Sequence, residues 1–272
     1  MLRIAHFVVV LPLLLSFVPH ILVADPGKDD VLKAAKRATH FMMDTVSNQG
    51  GFLWMYSEDF KEQWGEIPAR KSMIWVQDPG TVGVGKALLK AYEITGDSEY
   101  LTYAKRVANV LILGQHPAGG WDYFIDFDPE GVQAWYEGMQ SKCWGWEEFY
   151  HNFGNCTFDD DVTVEAARFL LNLYMTTLDP VYRDPVLNSV DFIVNAQYPN
   201  GGWPQRYPPP DEFSHEKDAG YTAYYTFNDF VIRSNIEFLL EAYEKLGIEQ
   251  YKQAAYRGMD FVMISQMGTP QA

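Results

Sequence analysis

The chain has 272 residues, 47% of them hydrophobic and 15% aromatic, enough to build a sizeable core and to exclude disorder, collagen and a coiled coil. Its 21 Lys and Arg stand against 36 Asp and Glu, and the resulting charge of −15 has the wrong sign for a nucleic-acid partner. An acidic protein still accommodates an acidic ligand when a divalent cation sits between them.

Residues 1–24 read as a signal peptide. Arg3 precedes an apolar run from Phe7 to Ala24, and Pro12, Pro19 and His20 within that run argue against a permanent anchor. Cleavage after Ala24 removes Arg3, takes the charge from −15 to −16, and leaves 25–272 as one domain that is secreted or periplasmic and free of the membrane. In an exported chain the two cysteines, Cys143 and Cys156, are expected to form a disulfide worth roughly 2–4 kcal/mol. Asn155-Cys156-Thr157 is a formal glycosylation sequon.

From residue 30 onward the chain repeats a pair of helices. Gln49, Gln115, Gln197 and Gln266 each close an apolar helical stretch, and three of the turns that follow contain Gly-Gly-aromatic, ending at Phe52, Trp121 and Trp203. Leu89, Leu171 and Leu240 each lie 26 residues before their glutamine, with Tyr92, Tyr174 and Tyr243 three residues later. The spacing predicts helices near 30–47, 80–94, 98–114, 162–177, 181–196, 230–245 and 248–265. Hairpins with one apolar face each must stack side by side, so the expected fold is all-α: an α/α toroid, complete or partial, with its crossovers gathered on one rim.

In the same register an aspartate opens each pair: Asp78, Asp160 and Asp229. A helix cap explains one such acid. T-F-D-D-D at 157–161 and T-F-N-D at 226–229 hold more, placing Asp159, Asp160, Asp161, Asn228 and Asp229 on neighbouring crossovers. Clustered carboxylates repel unless protons or a cation offset them, and hard oxygen ligands suit Ca2+; the alternative is that Asp159 and Asp161 face water. The crossover at 201–210 presents Trp203, Gln205 and Arg206, a ring for stacking on a sugar and a guanidinium for its carboxylate, although Trp203 equally suits a wedge between repeats. The insertion from Asp122 to Asn155 is rich in aromatics, either a sugar groove or the private core of a long loop. No histidine pairs with a Ser or Cys nucleophile in a recognisable pattern.

N-A-Q-Y-P-N-G-G-W-P-Q-R-Y-P at 195–208, T-F-N-D at 226–229 and T-F-D-D-D-V-T-V-E-A-A-R-F-L at 157–170 together resemble the pectate lyases of polysaccharide lyase family 10, over roughly residues 155–267. The resemblance implies an α/α toroid that cleaves polygalacturonate, an acidic polysaccharide, by Ca2+-assisted β-elimination with an arginine as base. It places Asp159 at the first acid of the family's upstream Asp-Asn pair and Asp229 at the acid of T-F-N-D, so that Asp159, Asp160 and Asp229 are the expected metal ligands. Asn228, Trp203, Gln205 and Arg206 are the expected substrate contacts. Asp160 stands where the family has Asn and Asp161 where it has Gly, which makes this half of the site more acidic. The family continues past the position of Ala272 into an Ala-Arg stretch carrying the base, so the domain is expected to be incomplete at its C-terminus, and neither Arg206 nor Arg233 matches that motif. Competing readings are a glycoside hydrolase using Asp160 and Asp229, a relative of the triterpene cyclases, which are also α/α rings, and a pectin-binding protein without catalysis.

Overall fold

The computed structural model describes residues 27–140, 154–209 and 221–266. The signal segment, Cys143 and the aromatics from Trp144 to Phe153 lie outside them. The chain divides into two compact units, Met1–Phe41 and Met42–Ala272. In the first, α1 (Lys28–Phe41) is a solvent-facing helix with no buried residue. The stretch predicted as one helix over 30–47 changes to a π-helical turn at Met42–Val46.

The second unit has the α/α toroid architecture. Among the described residues its three hairpins are α2 (Thr81–Thr95) with α3 (Ser98–Leu113), α5 (Val162–Thr177) with α6 (Arg183–Ala196), and α7 (Val231–Leu246) with α8 (Glu249–Ile264). A further helix absent from the sequence reading, α4 (Val132–Gln140), lies in the long insertion. Each first helix stops at a left-handed residue, Gly96, Leu178 or Gly247, whose N–H donates to the carbonyl of the aligned tyrosine, Tyr92, Tyr174 or Tyr243. Asp97 and Asp179 then accept a backbone N–H at the next helical start. The recurring Tyr is therefore part of the turn that folds each hairpin back.

Helix α5 buries Val162, Val164, Ala166, Ala167, Phe169, Leu170, Leu171 and Leu173, a nearly all-round apolar surface that packs on α2, α3 and α7. Across this face the first helices are joined by ion pairs. Lys86 on α2 meets Asp78 at 2.9 Å and Glu165 on α5 at 2.6 Å; Arg168 pairs with Glu165 and, at 2.8 Å, with Glu241 on α7.

The Gly-Gly-aromatic turns lock one hairpin to the next. Gly119 and Gly201 adopt φ of 114° and 94°, and a Cβ there would lie 2.3 and 2.2 Å from the carbonyl oxygens of Asn188 and Arg257 on the following hairpin's second helix. Gln115 donates its side-chain amide to Gly119 and Pro185, and Gln197 to Gly201 and Ala254, so the recurring glutamine ties its own turn to that same helix. The aromatic is a wedge: the indole N–H groups of Trp121 and Trp203 each donate to a carbonyl one helix away, at Leu111 and Ile193, both 2.8 Å.

The crossovers also pair with one another, a feature the sequence reading did not contain. Strand β1 (Met55–Tyr56) pairs with β2 (Gln63–Trp64) inside the first crossover. Strand β3 (Met73–Trp75) pairs with β4 (Phe124–Asp126), and β5 (Cys156–Thr157) with β6 (Arg206–Tyr207), all antiparallel. The registers Trp75↔Phe124 and Thr157↔Arg206 are equivalent in the repeat and lay successive crossovers side by side on one rim. In the described part of the insertion, Phe124 stacks on Trp75 and meets Trp135 and Tyr136, all of them buried: a private core, not a groove.

Candidate active site

The residues that open the three hairpins stand next to one another on this rim: Gln77-Asp78, Asp159-Asp160-Asp161 and Asn228-Asp229. Their backbone explains why a short acidic run recurs here. Asp160 (φ 49°, ψ 27°) and Asp229 (φ 42°, ψ 42°) are both left-handed, and so are the residues after them, Asp161 and Phe230. Asp adopts this region at lower cost than most side chains, and such strain, of order 1–3 kcal/mol per residue, gathers at functional sites. None of these acids caps its helix through a side-chain hydrogen bond, so capping does not account for them. Asp78 is engaged by Lys86 instead.

Asp159 is the buried member, 5% exposed. Its N–H donates to the Thr157 hydroxyl at 3.0 Å, and its Oδ2 accepts the Tyr123 hydroxyl at 2.9 Å. Its other oxygen, Oδ1, is buried without a hydrogen-bond donor. Asp229, on the next crossover, brings its carboxyl into hydrogen-bond contact with that of Asp159. Desolvation first, then the Asp159, Asp160 and Asp161 carboxylates, push the Asp229 pKa up to about 6. Asp160 receives the Tyr123 hydroxyl at 3.4 Å and a hydrogen bond from Gln77, yet burial and Asp159 still raise its pKa. Asp161 hydrogen-bonds Ser234 and is also raised, chiefly by burial. Asn228 donates to the Asp229 carboxylate and orients it from the solvent side.

Two contributors escaped the sequence reading. Glu66 sits in a tight turn whose Gly65 lies flat on the Trp75 indole, and its pKa is pushed up to about 7 by desolvation and then by Asp160, Asp159 and Asp229. It is a fourth carboxyl in the same field, and no repeat position flags it. Tyr123 was visible only as one aromatic among many; its register equivalence to Gln205, 82 residues on, is the signal that marks it as a rim residue.

Three expected substrate contacts are corrected. Trp203 is wholly buried, because its place in the repeat is the inter-repeat wedge. Gln205 is 2% exposed, and its carbonyl pairs with Phe158 N–H in the crossover ladder. Arg206 is also 2% exposed: it donates to Asn155 at 2.9 Å and Asp122 at 2.8 Å and lies 5.5 Å from the Tyr123 ring centroid. Its charge-neutralised packing holds Tyr123 against the acids from behind. Asn155 is occupied by Arg206 and Pro208, and so is turned away from glycosylation in the fold. Cys156 is a buried free thiol; Cys143, its expected disulfide partner, lies outside the described residues. Of the expected metal ligands, Asp159 and Asp229 meet and Asp160 adjoins them through the shared Tyr123 hydroxyl, though among the described residues no three acids or histidines converge as a complete metal cage.

Residues 131–233 match the family model described as pectic acid lyase. That span is less than half of the chain and contains both acidic crossovers. No curated protein sequence matches. Among solved structures, a mutant of a family 10 polysaccharide lyase from Cellvibrio cellulosa in complex with trigalacturonic acid is similar at 23% identity and a TM-score of 0.42, over 68% of this chain and 52% of that one. A family 10 polysaccharide lyase from the same organism is similar at 22% identity and a TM-score of 0.41, over 68% of this chain and 51% of that one. The chain thus spans about half the length of these lyases. A cellobiose 2-epimerase from Bacillus thermoamylovorans is similar at 15% identity and a TM-score of 0.31, over 90% of this chain and 72% of that one. Among the described residues no helix is long and apolar enough to cross a membrane.

Proposed function

We propose that this chain is a pectate lyase-like protein, exported from the cell, that engages polygalacturonate through Ca2+ and belongs to a β-elimination reaction. One observation carries the reading: Asp159 and Asp229, from neighbouring crossovers inside the matched span, meet carboxyl to carboxyl with one buried oxygen lacking a donor. Two carboxylates in contact need a proton or a cation between them. The oxygens are of the hard kind calcium takes, buried on Asp159 and exposed on Asp229; the three acids do not form a complete cage among the described residues, so in this reading Asp159, Asp229 and Asp160 close on the ion together with water and the substrate's own carboxylate. Bound there, the ion supplies charge stabilisation for the enolate that develops when the C5 proton is removed.

The chain's own residues set up that arrangement. Tyr123 fixes the Asp159 carboxylate, Gln77 fixes Asp160, and Asn228 fixes Asp229, so the acids are pre-oriented. Arg206 is committed to Asp122 and Asn155 and Arg233 to Glu237, so neither is assigned as the base. The competing reading, a glycoside hydrolase using Asp160 and Asp229 as acid and base, differs from this one in its product. Incubation of the purified chain with polygalacturonate and Ca2+, followed by the absorbance of unsaturated product, tests the reading. Product that disappears with a chelator supports it. Calcium-dependent retention on the polymer without product leaves binding alone, and reducing ends without absorbance replace it with hydrolysis.

A further inference from the structure

The first crossover carries a feature that the described parts of the later two do not: the β1–β2 hairpin, followed by a tight turn over residues 64–68. Trp64 bridges Pro68, and Gly65 N–H donates to the Ile67 carbonyl. A Cβ on Gly65 would lie 2.0 Å from the Trp75 indole, so the turn is pressed flat on that ring. The Trp135 indole N–H holds the Pro68 carbonyl at 3.0 Å. Gly65 and Ile67 are buried, and between them Glu66 is exposed. A fixed turn therefore presents one carboxyl, and the same scaffold leads to the acids. Trp75 donates to Gln77 Oε1 at 3.0 Å, the Gln77 amide bonds Asp160, and Asp160, Asp159 and Asp229 all act on Glu66. Trp54, half-buried, lies 6.3 Å from Trp75, and its indole N–H donates to the Gln77 carbonyl at 3.1 Å.

Glu66 has no counter-charge. Among the described residues its carboxyl makes no hydrogen bond or ion pair. Cations of this rim are committed to other acids: Arg70 to Asp126 and Asp128, Lys86 to Asp78 and Glu165, Arg206 to Asp122, and Arg233 to Glu237. The buried Asp159 Oδ1, which lacks a donor, marks the adjoining acids as a place that takes a ligand. With calcium there, its two positive charges face three acids and one substrate carboxylate, so the site is already negative before Glu66 is counted. A second substrate carboxylate beside Glu66 meets like charge and no cation. A methyl ester in the same place carries no charge, its sugar hydroxyls can donate to Glu66, and its C–H face can lie on the Trp54 ring.

We propose that Glu66 and Trp54 form a subsite for an uncharged unit next to the metal-bound uronate, so that the preferred polymer is a partly methyl-esterified galacturonan and Glu66 is the residue that sets this preference. Both residues lie outside the span that matches the family model. The inference rests on the calcium and galacturonan reading above.

Calorimetric titration at pH 7.5 with Ca2+, using a galacturonate tetramer and the same tetramer with alternate units methyl-esterified, tests it. The parent chain is expected to bind the half-esterified tetramer at least about tenfold more tightly. Glu66→Gln, which removes no described contact, is expected to bring the two within about threefold by tightening the unesterified one. Equal or tighter binding of the unesterified tetramer by the parent overturns the proposal and leaves the lyase reading standing. So does a preference that survives Glu66→Gln. Weakening of both ligands by Glu66→Gln assigns Glu66 to the ion and overturns it as well. Absence of Ca2+-dependent binding to either tetramer overturns the lyase reading, and this inference with it.

Discussion

Asp159 and Asp229, 70 residues apart in sequence, share a hydrogen-bond contact between carboxyl groups because each opens the first helix of successive hairpins on one rim. At neutral pH one buried oxygen and one raised acid then occupy a site that protons alone satisfy poorly.

The pH dependence has a definite sign. Folding raises Asp229 from 3.8 to about 6 and Glu66 from 4.5 to about 7, so the folded state binds more protons than the unfolded chain in this window. The stability these groups contribute is complete below their unfolded values and is lost as pH rises through the folded ones. In chelator, the melting temperature is expected to fall between pH 4 and pH 7, and millimolar Ca2+ is expected to restore it at pH 7. Asp229→Asn should flatten the fall. Thermal unfolding followed across this range checks all three; a rise in melting temperature attributable to these groups contradicts the assignment.

Tyr123→Phe removes the donor to Asp159 and Asp160 without opening a cavity. A hydrogen bond to a charged group is worth about 1.5–3 kcal/mol. Chemical denaturation should show a loss of that order, and Ca2+ binding should weaken while the fold persists.

Arg206→Met tests whether this arginine is structural. Leaving Asp122 and Asn155 without their buried partner should cost about 3–5 kcal/mol, measured by urea unfolding. A substrate contact on an accessible surface would instead leave stability unchanged and raise KM.

Gly201→Ala meets both a positive φ and the Arg257 carbonyl. The expected loss exceeds about 1 kcal/mol, because strain and collision act together. Gly96→Ala has the same sign of φ but open space around it, and should cost less.

The helical repeat was legible because its periodic residues have one structural task each. The glutamine ties turn to helix, the leucine faces the core, and the tyrosine carbonyl takes the left-handed cap. The six hairpin helices accordingly begin and end within two residues of the sequence expectation. The neighbourhood of the two acidic crossovers was legible for the same reason, through Asp160 and Asp229, whereas Asp159, whose register equivalents are Gln77 and Asn228, was marked by its acidic run and not by the repeat. Exposure was not legible: the same repeat that placed Trp203, Gln205 and Arg206 near the rim also buries them, since a wedge and a ladder strand read like a binding loop when only side-chain chemistry is seen. Glu66 was invisible because the first crossover has no counterpart for it in the later ones. The consecutive left-handed pairs at Asp160-Asp161 and Asp229-Phe230 were hidden as well, as Phe230 gives no compositional hint of that conformation.

Calorimetric titration of Ca2+ into the chelator-stripped chain at pH 7 addresses the paired acids most directly. One binding event is expected, accompanied by proton release and abolished by Asp229→Asn and by Asp159→Asn. Absence of binding in the parent chain, or binding that survives both substitutions, contradicts a cation-holding role for the pair.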